Sequence, residues 1–267
     1  MKVHLKNHFQ GGIKLVKERI SPNVNPWGIY KKNSDYLDLL RARDGWYEQT
    51  GNGPLVAYAG RDKQGRSLVG RVYANFAVIE EDPYSLMFVA ERLKTKIRLP
   101  QDNYVLCGTQ MGGINLSTAL GIATGWLTIK AEKKVTQAAV PGKSREKSEM
   151  VFKRHDVYPG DKVIIVEDVC NNFSTTAKLV ALIESYGAQV VAIVCFLNRS
   201  PKFIDYFPVS GTDRKIPVFS LVQKSLPEYE QDDPEIIEDI KKNNVLWSPK
   251  EQWDLALETM QTGKAIA

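Results

Sequence analysis

Cysteine is scarce in this chain: three residues, Cys107, Cys170 and Cys195, far apart and with no CxxC pair. That spacing signals neither a zinc site nor a disulfide framework. Cys107 and Cys195 fall inside the apolar runs 104–107 and 190–197, where a reduced thiol behaves as a small hydrophobe. A reducing, cytoplasmic setting is expected. No apolar stretch approaches the roughly 20 residues of a membrane helix. Residues 1–10 carry Lys2 and Lys6 with no apolar run behind them, so no secretory leader is expected either. His4 and His8 lack a further ligand nearby and are expected to face solvent, and no metal-ligating set of side chains is expected elsewhere. The absence of GxxxxGK[ST] argues against a P-loop kinase, and the absence of GxGxxG after a strand argues against a dinucleotide-binding enzyme. There is no internal repeat. The first fifty residues show no helix-turn-helix pattern, and the net charge of +5 is mild, so nucleic acid is not an expected partner.

What is present is enough apolar sequence for a real core: 267 residues, 43% of them hydrophobic. Residues 1–50 read as a polar N-terminal extension with a short helix over 34–43. Residues 51–200 read as the core and 201–267 as a C-terminal extension packed on it. Residues 54–59 and 67–76 have strand composition, separated by a turn-like 60–65. Asp82-Pro83 opens a helix to about Ile97. Then apolar strands alternate with helices: strands at 104–108, 126–130, 162–166 and 189–197, helices from Gly113 to Thr124 and over 175–186. Such alternation predicts an α/β fold, a parallel sheet flanked by helices. Ligands in such sheets lie at the carboxyl ends of the strands. Residues 132–154 form a long basic segment expected to be a loop acting as a lid. Beyond Arg199 come a strand at 216–222, an acidic stretch 228–239 and a helix over 249–260. Trp247 and Trp253 are expected to anchor packing.

The run 162–176 carries the chemistry. A buried strand delivers Glu167 and Asp168 to its end, and a polar bend leads into a helix that Ser174 is placed to cap. The helix start offers free amides and a positive dipole end, which favour a phosphate. Asn171, Ser174 and Thr175 add donors. Two carboxylates facing that phosphate would repel it, but they suit the hydroxyls of a ribose that carries it.

Here the sequence resembles the type I phosphoribosyltransferases, whose motif is an apolar strand, two acids and a Thr/Gly-rich loop. Glu167, Asp168 and Thr175 match it. Asn171, Asn172, Phe173 and Ser174 stand where that family has Thr, Thr, Gly and Gly. Either the backbone runs differently, with Phe173 turned away, or phosphate binding is weakened. The resemblance covers roughly residues 67–200. It implies that 5-phosphoribosyl-1-pyrophosphate (PRPP) is held by Glu167, Asp168 and residues 171–175. The turn of Thr109, Gln110, Gly112 and Gly113 would hold its pyrophosphate, with Mg²⁺ bound alongside.

Within the family the nearest resemblance is to orotate phosphoribosyltransferase. It rests on Gly70-Arg-Val-Tyr73-Ala-Asn75, on Asp82-Pro83 with its long helix, on residues 127–133, and on Cys195-Phe-Leu-Asn198-Arg199. It implies pyrophosphate-contacting, catalytic roles for Lys130, Lys133 and Lys134, and a base site at Tyr73 and Arg199. The usual Arg and His of the basic motif fall on Ile129 and Val135. The expected activity is transfer of the phosphoribosyl group to a nucleobase, orotate preferred, by a homodimer. A PRPP-binding regulator and a purine phosphoribosyltransferase remain the alternatives.

Overall fold

The computed structural model describes residues 36–109, 111–137 and 147–266. The chain opens with a short helix, α1 (Leu37–Arg41), and the strand β1 (Trp46–Glu48). The expected hairpin follows as β2 (Leu55–Arg61) and β3 (Ser67–Gly70), turned by Asp62, whose carboxylate accepts from the Arg66 amide at 2.7 Å. The strand expected over 67–76 divides. β3 pairs with β2, whereas β4 (Val72–Ala74) leaves to pair with β1. A one-turn helix, α2 (Ala77–Glu80), leads to α3 (Pro83–Lys96). Pro83 sits in its first turn, and Asp82 caps it by accepting from the amides of Tyr84 and Ser85 at 3.2 Å each.

The alternating region is β5 (Val105–Gly108), α4 (Gly112–Thr124), β6 (Leu127–Lys130), β7 (Glu132–Gln137), β8 (Lys147–Val151), β9 (Lys162–Cys170), α5 (Ser174–Ser185) and β10 (Gln189–Asn198). The chain ends with β11 (Tyr206–Pro208), β12 (Lys215–Gln223), α6 (Ile237–Lys241), β13 (Val245–Leu246) and α7 (Trp253–Thr262). The main sheet has the order β11-β12-β10-β9-β5-β6, parallel throughout except for β11. A smaller sheet, β13-β2-β3, stands beside it.

Side-chain alternation on the central strands divides the core. Ile164 and Val166 of β9, with Val194 and Phe196 of β10, meet Phe88, Leu93, Leu116 and Leu120 from α3 and α4. Val163, Ile165, Ile193 and Cys195 meet Leu179, Val180 and Ile183 of α5 on the other face. Helices on both faces bury both sides of the strands, which is why these strands read as unbroken apolar runs. Fully burying each of these side chains contributes about 2 kcal/mol.

Three expectations need correction. The segment expected as a loop over 132–154 is partly a β7–β8 ribbon, its two strands pairing antiparallel from Glu132 opposite Val151 to Gln137 opposite Lys147, with Lys134 facing Glu149. The helix expected from Pro249 begins only at Trp253. And β12 enters the main sheet directly beside β10, so residues beyond 200 complete that sheet as well as pack on it. Residues 1–35, with His4 and His8, lie outside the described residues. No described helix is long and apolar enough to cross a membrane.

Candidate active site

β9 outruns its neighbour on one side. Its pairing with β5 ends at Gly108 opposite Val166, while its pairing with β10 continues to Cys170 opposite Asn198. Glu167 and Asp168 therefore lie within the strand, on the stretch that β5 no longer covers. The helix α4 starts against this step. A Cβ on Gly112 would collide with the Asp168 carboxylate, and one on Gly113 with the Val166 carbonyl. Only glycines let the helix start approach so closely.

The step opens into a cleft of about 820 Å³, the size of a small-molecule site. Glu167 and Asp168 line it. Burial, then the charge of Asp168, pushes the Glu167 carboxyl up to about 8, opposed by a hydrogen bond from Thr109. Burial also raises Asp168, opposed by the amides of Val169 and of Asp168 itself and by the charge of Lys250. Burial thus holds both adjacent half-buried acids above their usual range.

Residues 171–173 turn the chain from β9 into α5. Phe173 adopts the left-handed region, φ 58° and ψ 19°, the conformation a glycine would adopt freely and a bulky residue adopts at a cost of about 1–2 kcal/mol. Its ring leaves the cleft for the core. It stacks on Phe207 with centroids 5.6 Å apart and meets Phe203 edge-on at 5.2 Å, and the residue is 3% exposed. The ring's burial offsets the strain and keeps the backbone bend a glycine loop would make. We expect Phe173→Gly to lower stability by about 2–4 kcal/mol in urea unfolding: roughly 3–5 from the lost ring, less about 1 from relieved strain. A stabilised variant would show that the stack does not hold the loop.

Ser174 does not cap α5. Its amide donates instead to Asn172 Oδ1 at 3.0 Å, so the asparagine supplies the acceptor. The side chains of Ser174 and Thr175 are exposed at the cleft, and the next amides have no carbonyl one turn earlier within the helix. Asn171 is engaged elsewhere, its Nδ2 donating to Glu228 Oε1.

Arg199 reaches the cleft from the end of β10 and is 5% exposed. Its Cζ lies 4.1 Å over the Tyr58 ring, a cation–π contact, and its Nη2 is 3.7 Å from Glu228 Oε1. Its Nε and Nη2 have no hydrogen-bond partner among the described residues. Tyr73 also lines the cleft, and burial pushes its phenol up to about 12.

The other expected residues are not gathered here. Thr109 is fully buried, its hydroxyl 3.3 Å from the Val166 carbonyl, and Gly113 is packed beneath it. Thr109 thus supports Glu167 from below and leaves no hydroxyl free for a ligand. Lys130 ends β6 beside Gly108, away from the described cleft lining, and Lys134 pairs with Glu149 at 3.1 Å. Gln110, residues 138–146 and the side chain of Lys133 lie outside the described residues.

Sequence reasoning missed the wall opposite the acids, built by residues 247–251. Lys250 there bears electrostatically on both Asp168 and Glu80. The signal was Ser248-Pro249, which we read as a helix start. Here the chain turns before α7, with the amides of Glu251 and Gln252 both donating to the Ser248 carbonyl at 2.9 Å.

No family model matches the chain. It is 28% identical over 149 residues to the orotate phosphoribosyltransferase of Carboxydothermus hydrogenoformans, covering 55% of this chain and 72% of that protein. Over 162 residues it is 28% identical to the orotate phosphoribosyltransferase of Thermotoga maritima, covering 60% and 75%. Among solved structures, the orotate phosphoribosyltransferase from Aeropyrum pernix aligns with a TM-score of 0.48 at 14% identity, over 70% of this chain and 92% of that one. Across more than half of its length the chain is thus similar in sequence to orotate phosphoribosyltransferases, in agreement with the motif at its acidic strand.

Proposed function

We propose that this chain transfers the 5-phosphoribosyl group of PRPP to a nucleobase, orotate preferred, and releases pyrophosphate. The observation that carries this reading is the acid pair on β9 facing a cleft, followed at once by a bend that aims a helix start into the same space. Glu167 and Asp168 accept hydrogen bonds from the two ribose hydroxyls. The hydroxyls of Ser174 and Thr175 and the first amides of α5 take the 5-phosphate. Arg199, whose Nε and Nη2 lack hydrogen-bond partners among the described residues, reads a planar anionic base beside Tyr73.

In the reaction a ring nitrogen of the base bonds to ribose C1 as the C1–O bond to pyrophosphate breaks. The electron pair leaves with the pyrophosphate, and the attacking nitrogen gives up its proton. No covalent nucleophile is required, since proximity and stabilisation of the leaving charge carry the rate. Mg²⁺ fits as a cation brought by the substrate, because such ions take one or two carboxylates plus phosphate oxygens, and Glu167 and Asp168 are carboxylates at that place; it would supply charge for the departing pyrophosphate. Lys250 adds a cation from the protein side.

The test is to incubate the protein with Mg²⁺, PRPP and single bases and to measure pyrophosphate. Release with orotate alone is expected. Release with adenine instead would make it a purine enzyme. PRPP binding with no release would favour a PRPP-binding regulator.

A further inference from the structure

The segment around residues 226–229 crosses behind the cleft, fastened at both ends. The Leu226 amide donates to the Arg199 carbonyl at 3.2 Å, and Tyr229 exchanges both backbone hydrogen bonds with Val69 of β3, at 2.9 and 3.1 Å. Between these anchors Glu228 turns its carboxylate inward, its side chain 19% exposed. A single oxygen, Oε1, then serves two residues. Asn171, in the bend after β9, donates its Nδ2 to it, and Arg199 Nη2 stands 3.7 Å away, inside ion-pair range but beyond hydrogen-bond length. The two residues end neighbouring parallel strands, and the Arg199 amide donates to the Cys170 carbonyl at 2.9 Å.

One carboxylate thus restrains the phosphate bend and the guanidinium together. A buried charge left short of hydrogen bonds is costly, and here Glu228 and the Tyr58 ring are what compensate Arg199 while the cleft is empty. Resting on the proposed function, we propose that Glu228 is a positioning residue that couples the phosphate loop to the base-reading Arg199, so that filling one subsite tightens the other. The chemistry fits: an anion that takes up the free nitrogens of Arg199 relieves its pull on Oε1, which leaves that oxygen to Asn171 and fixes the bend.

Calorimetry of PRPP binding, with and without orotate and with Mg²⁺ left out so that no turnover consumes the pair, tests this. The wild type should bind PRPP more tightly when orotate is present. Glu228→Ala should weaken PRPP about tenfold, about one charge-assisted hydrogen bond, and abolish the effect of orotate. Glu228→Gln keeps an acceptor for Asn171 but no charge for Arg199, so PRPP affinity should recover while orotate affinity stays low. In a double-mutant cycle, adding Glu228→Ala to Asn171→Ala should weaken PRPP no further, whereas a role confined to general stability would give additive losses. If Glu228→Ala fails to fold, the Gln variant carries the comparison, and wild-type orotate affinity in it overturns the proposal. A wild type that binds PRPP, joined to an unaltered Glu228→Ala, overturns this inference alone. A wild type that binds no PRPP overturns the proposed function and this inference with it.

Discussion

Asp168→Asn is expected to weaken PRPP binding by at least roughly 100-fold, the order of two lost charged hydrogen bonds, while the melting temperature stays level or rises. The reason for both halves is the same. Burial holds this carboxyl above its usual range beside Glu167, so its ionised form is a cost to the empty fold and an asset to a ligand. The amide keeps the shape and removes the charge. The wild type carries the matching pH signature. Glu167 goes from 4.5 to about 8 on folding, so the folded state holds a proton that the unfolded state has lost. Stability should therefore fall as pH rises from about 4.5 through about 8. PRPP affinity should run the other way, tightening as pH is raised through about 8 and Glu167 ionises. Calorimetry at several pH values reads the second trend and thermal unfolding the first. Unchanged PRPP affinity in Asp168→Asn would count decisively against the site.

Arg199→Ala should raise the KM for orotate by roughly 10- to 100-fold, the order of a charged hydrogen-bonding pair, and the KM for PRPP by much less. It should also destabilise the fold by about 3 kcal/mol, since it leaves Glu228 without its cation behind the cleft. Arg199→Lys should restore little of the orotate affinity. A lysine ammonium cannot lie flat on the Tyr58 ring and offer a planar fork at once. Steady-state kinetics with each substrate varied in turn checks this, and equal rises in both constants would unseat Arg199 as the base reader.

The parts of this fold legible in the sequence are those decided locally. Asp82-Pro83 caps its helix by chemistry within four residues, and the apolar run 163–166 is buried on both faces wherever the sheet places it. The acid pair was legible because two carboxylates at the end of such a run have no structural use. What was not legible were features set by distant segments. Thr109 looked like a donor because its burial beneath Val166 depends on how α4 docks. Phe173 looked like a misfit because Phe203 and Phe207, which receive its ring, lie thirty residues and more downstream. Lys250 and Glu228 were invisible for the same reason. Each reaches the site only because β13 pairs with β2 and Tyr229 bridges to Val69.

That last arrangement bears on when the cleft comes into being. Residues 247–251 are synthesised after β9, α5 and β10, so a nascent chain with those elements already folded still lacks a closed substrate chamber. The exposed residues Glu230, Asp232 and Glu235 form the tether to that wall. A protease that nicked there would leave the main sheet standing but its chamber open to water along one side.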